Sequence, residues 1–84
     1  MANPEAVRED LLGLLRLMVD HPTELGVSAV AMRRATVFEV ATAPEDLGKI
    51  IGRRGRTARA LRALLDCRGE RDGAQYGLDI LDDD

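Results

Sequence analysis

The sequence predicts an α+β domain whose elements follow in the order αββααβ. Three observations carry that expectation. Apolar residues recur at helical spacing near the N-terminus and again after Gly55; two runs rich in Val, Thr and Phe lie between them; and an alternating run comes last. A chain of 84 residues can bury one small core and no second, so residues 1–84 are expected to form a single domain. The balance of 45% apolar and 32% charged residues is that of a globular chain rather than a disordered one.

Each element has its own signal. Asn3 before Pro4 reads as an N-cap followed by the first helical residue, and Glu5, Glu9 and Asp10 suit the positive end of a helix dipole. Val7, Leu11, Leu14, Leu15 and Met18 give that helix one apolar stripe, which stops before Asp20-His21-Pro22. Gly26 to Arg34 and Thr36 to Thr42 read as short strands, with Thr36, Phe38, Val40 and Thr42 sharing a face. Their connection through Arg33-Arg34-Ala35 is too short for a crossover and favours an antiparallel hairpin. Thr42-Ala43-Pro44-Glu45 resembles a capping box opening a brief helix from Pro44 to about Ile51, which Gly52 ends. From Arg56 to Cys67, Ala58, Leu61, Leu64 and Leu65 form a core face beside a basic edge of Arg56, Arg59 and Arg62. Arg68 to Gly73 is polar and glycine-bearing, which predicts a loop; Tyr76, Leu78 and Ile80 then alternate as in a half-buried last strand. Residues 81–84 read as an acidic, frayed tail.

Charge is unevenly placed. Between Lys49 and Arg71 stand Lys49, Arg53, Arg54, Arg56, Arg59, Arg62, Arg68 and Arg71 against Asp66 and Glu70, a net +6; the rest of the chain carries −9, which together give the overall −3. A basic footprint fit for nucleic acid is thus hidden in an acidic total. No apolar run approaches the roughly 20 residues that span a bilayer, and no secretory start is present, so a cytoplasmic protein without a membrane partner is expected. Cys67 and His21 are the only residues of their types, too few for a disulfide or a zinc site, and no cofactor is expected. His21 at a helix exit and Cys67 near a helix end read as surface residues rather than catalytic ones. The chain has no Ser/His/Asp or Cys/His set and no G-x-x-x-x-G-K-[ST], so no enzymatic activity is expected.

The chemistry concentrates in Ile50-Ile51-Gly52-Arg53-Arg54-Gly55-Arg56. Two glycines three positions apart, between two helices, allow a tight turn and close approach of a ligand. Gly55 precedes a helix whose first-turn amides and dipole favour a phosphate, though the dipole is worth only about 0.3–1 kcal/mol at an exposed end. Arg53, Arg54 and Arg56 supply guanidinium forks that match phosphate oxygens. The segment therefore reads as a clamp for a sugar-phosphate backbone.

Ile50-Ile51-Gly52-Arg53-Arg54-Gly55 resembles the I-G-x-x-G signature of KH domains, whose GxxG loop grips a four-nucleotide backbone stretch. With Val19-Asp20-His21-Pro22, Ala43 to Gly52 and Gly55 to Arg62, the chain resembles nearly end to end the small bacterial KH proteins of the KhpA (YlqC) family. The GxxG alone discriminates little, and the longer pattern in its helical setting is what identifies the family. The resemblance implies a type II KH domain, with a mixed three-stranded sheet and the helices packed on one face. It implies that single-stranded RNA lies against Gly52, Arg53, Arg54 and Gly55, flanked by Lys49, Arg56 and Arg59, with Ile50 and Ile51 dividing core support and groove floor between them. It also implies a low-specificity RNA chaperone or post-transcriptional regulator that self-associates or pairs with a larger KH protein of the Jag (KhpB) type. The competing reading is an interaction module that recruits such a partner, with RNA contact incidental. An RNP-type RNA module fits poorly, because Phe38 and Tyr76 are the only aromatic residues.

Overall fold

The computed structural model describes residues 2–82. Helix α1 spans Pro4–Arg16, strands β1 and β2 span Gly26–Ala31 and Thr36–Ala41, helices α2 and α3 span Leu47–Ile51 and Arg56–Asp72, and strand β3 spans Tyr76–Ile80. Single 3-10 turns at Pro22–Glu24, Pro44–Asp46 and Arg53–Gly55 join them. The order is αββααβ, as the sequence implied.

Asn3 caps α1 as expected, its side-chain oxygen accepting from the Ala6 amide at 3.2 Å. β1 pairs antiparallel with β2, and β2 pairs parallel with β3, giving a mixed sheet in the order β1-β2-β3. Strand alternation puts Val27, Phe38, Val40, Tyr76 and Leu78 on one face, where they join Val7, Leu11 and Leu15 of α1, Ile50 of α2 and Leu61 and Leu65 of α3. All the helices therefore lie on that face. Phe38 and Tyr76 meet edge-on, ring centroids 5.5 Å apart. The opposite face carries the row Ser28, Glu39 and Asp79 in direct register.

Several boundaries differ from the sequence reading. β1 stops at Ala31 because the Met32 amide turns to the Ala35 carbonyl at 2.7 Å, closing the hairpin before Arg33 and Arg34. The capping box does not form: the Thr42 hydroxyl donates to the Ala43 carbonyl, and the Asp46 amide closes the turn on that same carbonyl at 2.9 Å. Leu14, placed in the α1 core stripe by spacing, is 40% exposed, as is Leu64 of α3 at 58%.

The largest difference is at the end of α3. Residues 68–72, expected in a loop, continue the helix to Asp72. Gly69 is buried there because a side chain would meet the Ala74 carbonyl, so the glycine marks close packing rather than a turn. The helix ends one turn later at Gly73 (φ 67°, ψ 36°), with the Ala74 amide donating back to Gly69 at 2.8 Å and that of Gly73 to Glu70 at 3.4 Å. Arg68 ties this end to α1 through Asp10 and to its own helix through Asp72, each at 3.2 Å, and the Tyr76 hydroxyl donates to Asp72 at 2.8 Å. Tyr76 is accordingly buried rather than half-buried. At the expected frayed tail, the Leu81 amide still donates to Val40 at 2.9 Å. Asp83 and Asp84 lie outside the described residues.

Candidate nucleic-acid interface

The chain reverses between α2 and α3 through four residues with specific backbone needs. Gly52 closes α2 by donating to the Gly48 carbonyl at 2.8 Å, and sits at φ 78°, ψ 168°. A Cβ there would overlap the Thr57 side chain and lie 2.8 Å from its backbone nitrogen, so both sterics and φ require glycine. Gly55 takes the left-handed conformation at φ 72°, ψ 16°. Between them Arg54 is also left-handed (φ 57°, ψ 26°) and is the one residue other than glycine with positive φ among those described. That conformation costs an L-residue about 1–2 kcal/mol.

The loop is closed from within. The Gly55 amide donates to the Gly52 carbonyl at 3.0 Å, and the Arg56 amide donates to Arg53. These two amides are therefore taken, and the guanidinium groups around the loop supply its charged donors. An Arg59 guanidinium nitrogen donates to the Arg54 carbonyl at 2.7 Å. The same nitrogen lies 3.3 Å from where a Gly55 Cβ would stand.

Arg53, Arg54 and Arg56 are exposed and make no ion pair among the described residues. Arg62 is exposed farther along α3. Lys49 is held by Asp20 at 3.1 Å and lies 3.9 Å from Asp46; its pKa is raised, first by the Asp20 hydrogen bond. Ile50 is 0% exposed and Ile51 37%, so the pair divides with Ile50 in the core and Ile51 at the surface. The division left open in the sequence is thereby assigned: Ile50, named among the candidate site residues, is the core member and has no surface to offer a ligand. Tyr76 is likewise closed to base stacking.

One polar centre has no counterpart in the sequence reading. Asp46, in the turn before α2, is 0% exposed. Its carboxylate accepts from the Asp20 amide (3.1 Å), the His21 amide (2.9 Å) and, at 3.2 Å, faces the His21 ring Nδ1. Burial pushes its pKa up, yet the two amides and the His21 ring together hold it below its ordinary value. His21 is shifted upward, first by the hydrogen bond to Asp46, with Glu45 and Glu24 adding weaker attraction. His21 thus has a defined structural partner rather than a plain surface position. The signal available in sequence was Asp20-His21-Pro22 placed far from Asp46, and no spacing rule links them.

The match to known proteins fits this geometry. The family model described as KhpA/KhpB, KH domain covers residues 8–80, from α1 to the end of β3. The chain belongs to the KhpA/KhpB KH-domain family. Relatives named "RNA-binding protein KhpA" include one from Leifsonia xyli subsp. xyli, 44% identical over 87% of this chain and 93% of its own length. Another, from Streptomyces coelicolor, is 42% identical over 93% and 95%. A third, from Mycobacterium tuberculosis, is 44% identical over 84% and 85%. No solved structure matches the chain. Membership in a KH family agrees with the expectation of a chain that is not an enzyme. Among the described residues no cluster of His, Cys, Asp or Glu could hold a metal ion, and no helix is long and apolar enough to cross a membrane.

Proposed function

We propose that this KH domain holds single-stranded RNA by its sugar-phosphate backbone at Gly52-Arg53-Arg54-Gly55, as a low-specificity cytoplasmic RNA chaperone or post-transcriptional regulator. The observation that supports this most is a tight glycine-bounded loop ringed by exposed guanidinium groups, Arg53, Arg54 and Arg56, with no acidic partner among the described residues. Charges left without a partner at a place where the backbone permits close approach favour a polyanion. Ile51 offers the adjoining groove an apolar surface, while Lys49 can join only by leaving Asp20. The names of the relatives point the same way. Nothing in the loop discriminates bases, which is why low specificity is proposed. Replacing Arg53 and Arg54 by aspartate should weaken binding of a short oligouridine about a hundredfold or more with an unchanged circular dichroism spectrum. Undiminished binding would remove the clamp assignment.

A second reading, a module that self-associates or recruits a KhpB-type partner, has its own observation. Val7, Leu11 and Leu14 of α1 and Leu61, Leu64 and Leu65 of α3 line a shallow apolar groove, with Leu14 and Leu64 well exposed. RNA crosslinking in cells separates the two readings: abundant crosslinked RNA supports the first, while none from wild type, together with retained partner capture, supports the second.

A further inference from the structure

We infer that Arg59 is a positioning residue, which prepares the Gly52–Gly55 loop from behind instead of contacting the RNA phosphate itself. The inference rests on the proposed RNA clamp and refines it. Counted by charge alone, Arg59 is one of several equivalent arginines. Geometry sets it apart.

Arg54 sits in a left-handed conformation that a side-chain-bearing residue avoids, and something must offset the cost. The Arg59 side chain does this by donating to the carbonyl of that same residue at 2.7 Å, from one turn into α3. Its guanidinium also passes close over Gly55, where a Cβ would stand 3.3 Å from it and oblige it to shift slightly. The contact is local and charge-assisted, and it spans the two consecutive left-handed residues, so it fixes the direction in which the Arg54 side chain leaves the loop. Among the described residues the Arg53 and Arg56 side chains make no such internal bond. Without Arg59 the loop samples conformations that do not bind, and apparent affinity falls by the fraction of molecules in the competent form.

The experiment is a double-mutant cycle with R59M, which keeps bulk and loses the donors, and R54G, which adopts the left-handed conformation without strain. Affinity for a short oligouridine is measured across a salt series. R59M is expected to bind about tenfold more weakly with an unchanged dependence on salt, because the number of phosphates neutralised is the same. In the R54G background the same R59M change should cost only about twofold, since glycine needs no brace. A salt slope reduced by about one charge, with an equal loss in both backgrounds, would make Arg59 a direct phosphate contact and overturn the inference. So would no loss at all. Hydrogen exchange at the Gly55 and Arg56 amides reads the brace without RNA, and R59M should accelerate it. If wild type binds no RNA, the clamp fails while exchange still judges the brace; unchanged exchange in R59M overturns the brace whatever the RNA result.

Discussion

Asp46 and the Gly52–Gly55 loop lie within ten residues of each other and treat charge in opposite ways. Asp46 is a carboxylate removed from water and met on every side by donors from the loop after α1. The glycine loop carries exposed cations, Arg53, Arg54 and Arg56, that make no ion pair among the described residues. A buried charge survives only if it is satisfied, so it reports architecture; an exposed cluster of one sign is under no such demand and sets the local electrostatic field instead. Lys49 stands between the two, pointing at Asp20 and Asp46 while directly preceding the isoleucine pair of the loop.

The sharpest way to break the contrast is to exchange the outcomes of mutation. Asp46→Ala removes the buried acceptor shared by two amides and the half-exposed His21 imidazole, and the melting temperature should fall by about 10 °C or more. RNA affinity of the fraction that remains folded, measured at low temperature, should change less than that of the Arg53/Arg54 double aspartate. Gly52→Ala comes next. It forces a side chain against Thr57 at positive φ, and should lower stability by about 1–3 kcal/mol in thermal melts while also disordering the Gly52–Gly55 loop. The same change at Gly73, where a Cβ meets nothing within 4 Å, should cost only the conformational part, about 1 kcal/mol. If Gly73→Ala proved the worse of the two, the packing role of Gly52 would be lost.

The pH dependence is smaller and sharpens the Asp46 side. His21 has a raised pKa, so its contribution is complete below its ordinary 6.5 and disappears as pH rises through the folded value. Asp46 is lowered, so its contribution is complete above its ordinary 3.8 and is lost as pH falls through the folded value. The groups facing His21 are Asp46, Glu45 and Glu24, all acidic, and all act in the same direction. Stability should therefore be greatest between about pH 4 and 6.5. A His21→Gln variant should lose the decline above that window, a change of about 1–3 °C in melting temperature. Of similar size, Tyr76→Phe removes the hydroxyl bond to Asp72 at the far end of α3, and should lower the melting temperature by a few degrees with no effect at the loop.

What sequence could and could not reveal follows the same division. Local signals were legible: the Asn3 cap, the hairpin, the alternation of β2 and the glycines around Arg53 and Arg54 all act over a few positions. Asp46 was not, because Pro44-Glu45-Asp46 reads as a solvated helix start while its partners at Asp20 and His21 lie 26 and 25 positions away. Gly69 misled for the converse reason. Glycine beside charged residues signals a turn by composition, and only the approach of Ala74 shows that the helix runs on through it. The Ile50-Ile51 pair could be recognised as dividing its work but not as to which residue did which, since helical phase over five residues leaves the inward direction unset.

Sheet topology adds a mechanical consequence. The hairpin partners Ala31 and Thr36 are near neighbours, whereas Thr36 and Tyr76, matched across the parallel pair, are forty positions apart. β1 and β2 can zip early, but β3 docks only after the entire α2–α3 excursion has closed, and loop-closure entropy makes that the slow and costly step. Residues 52–55 are the turning point of that excursion. A ligand that binds them only in their folded geometry draws on the folding of the whole excursion, so occupancy there should raise the unfolding temperature of the whole domain, strands included, with the logarithm of ligand concentration.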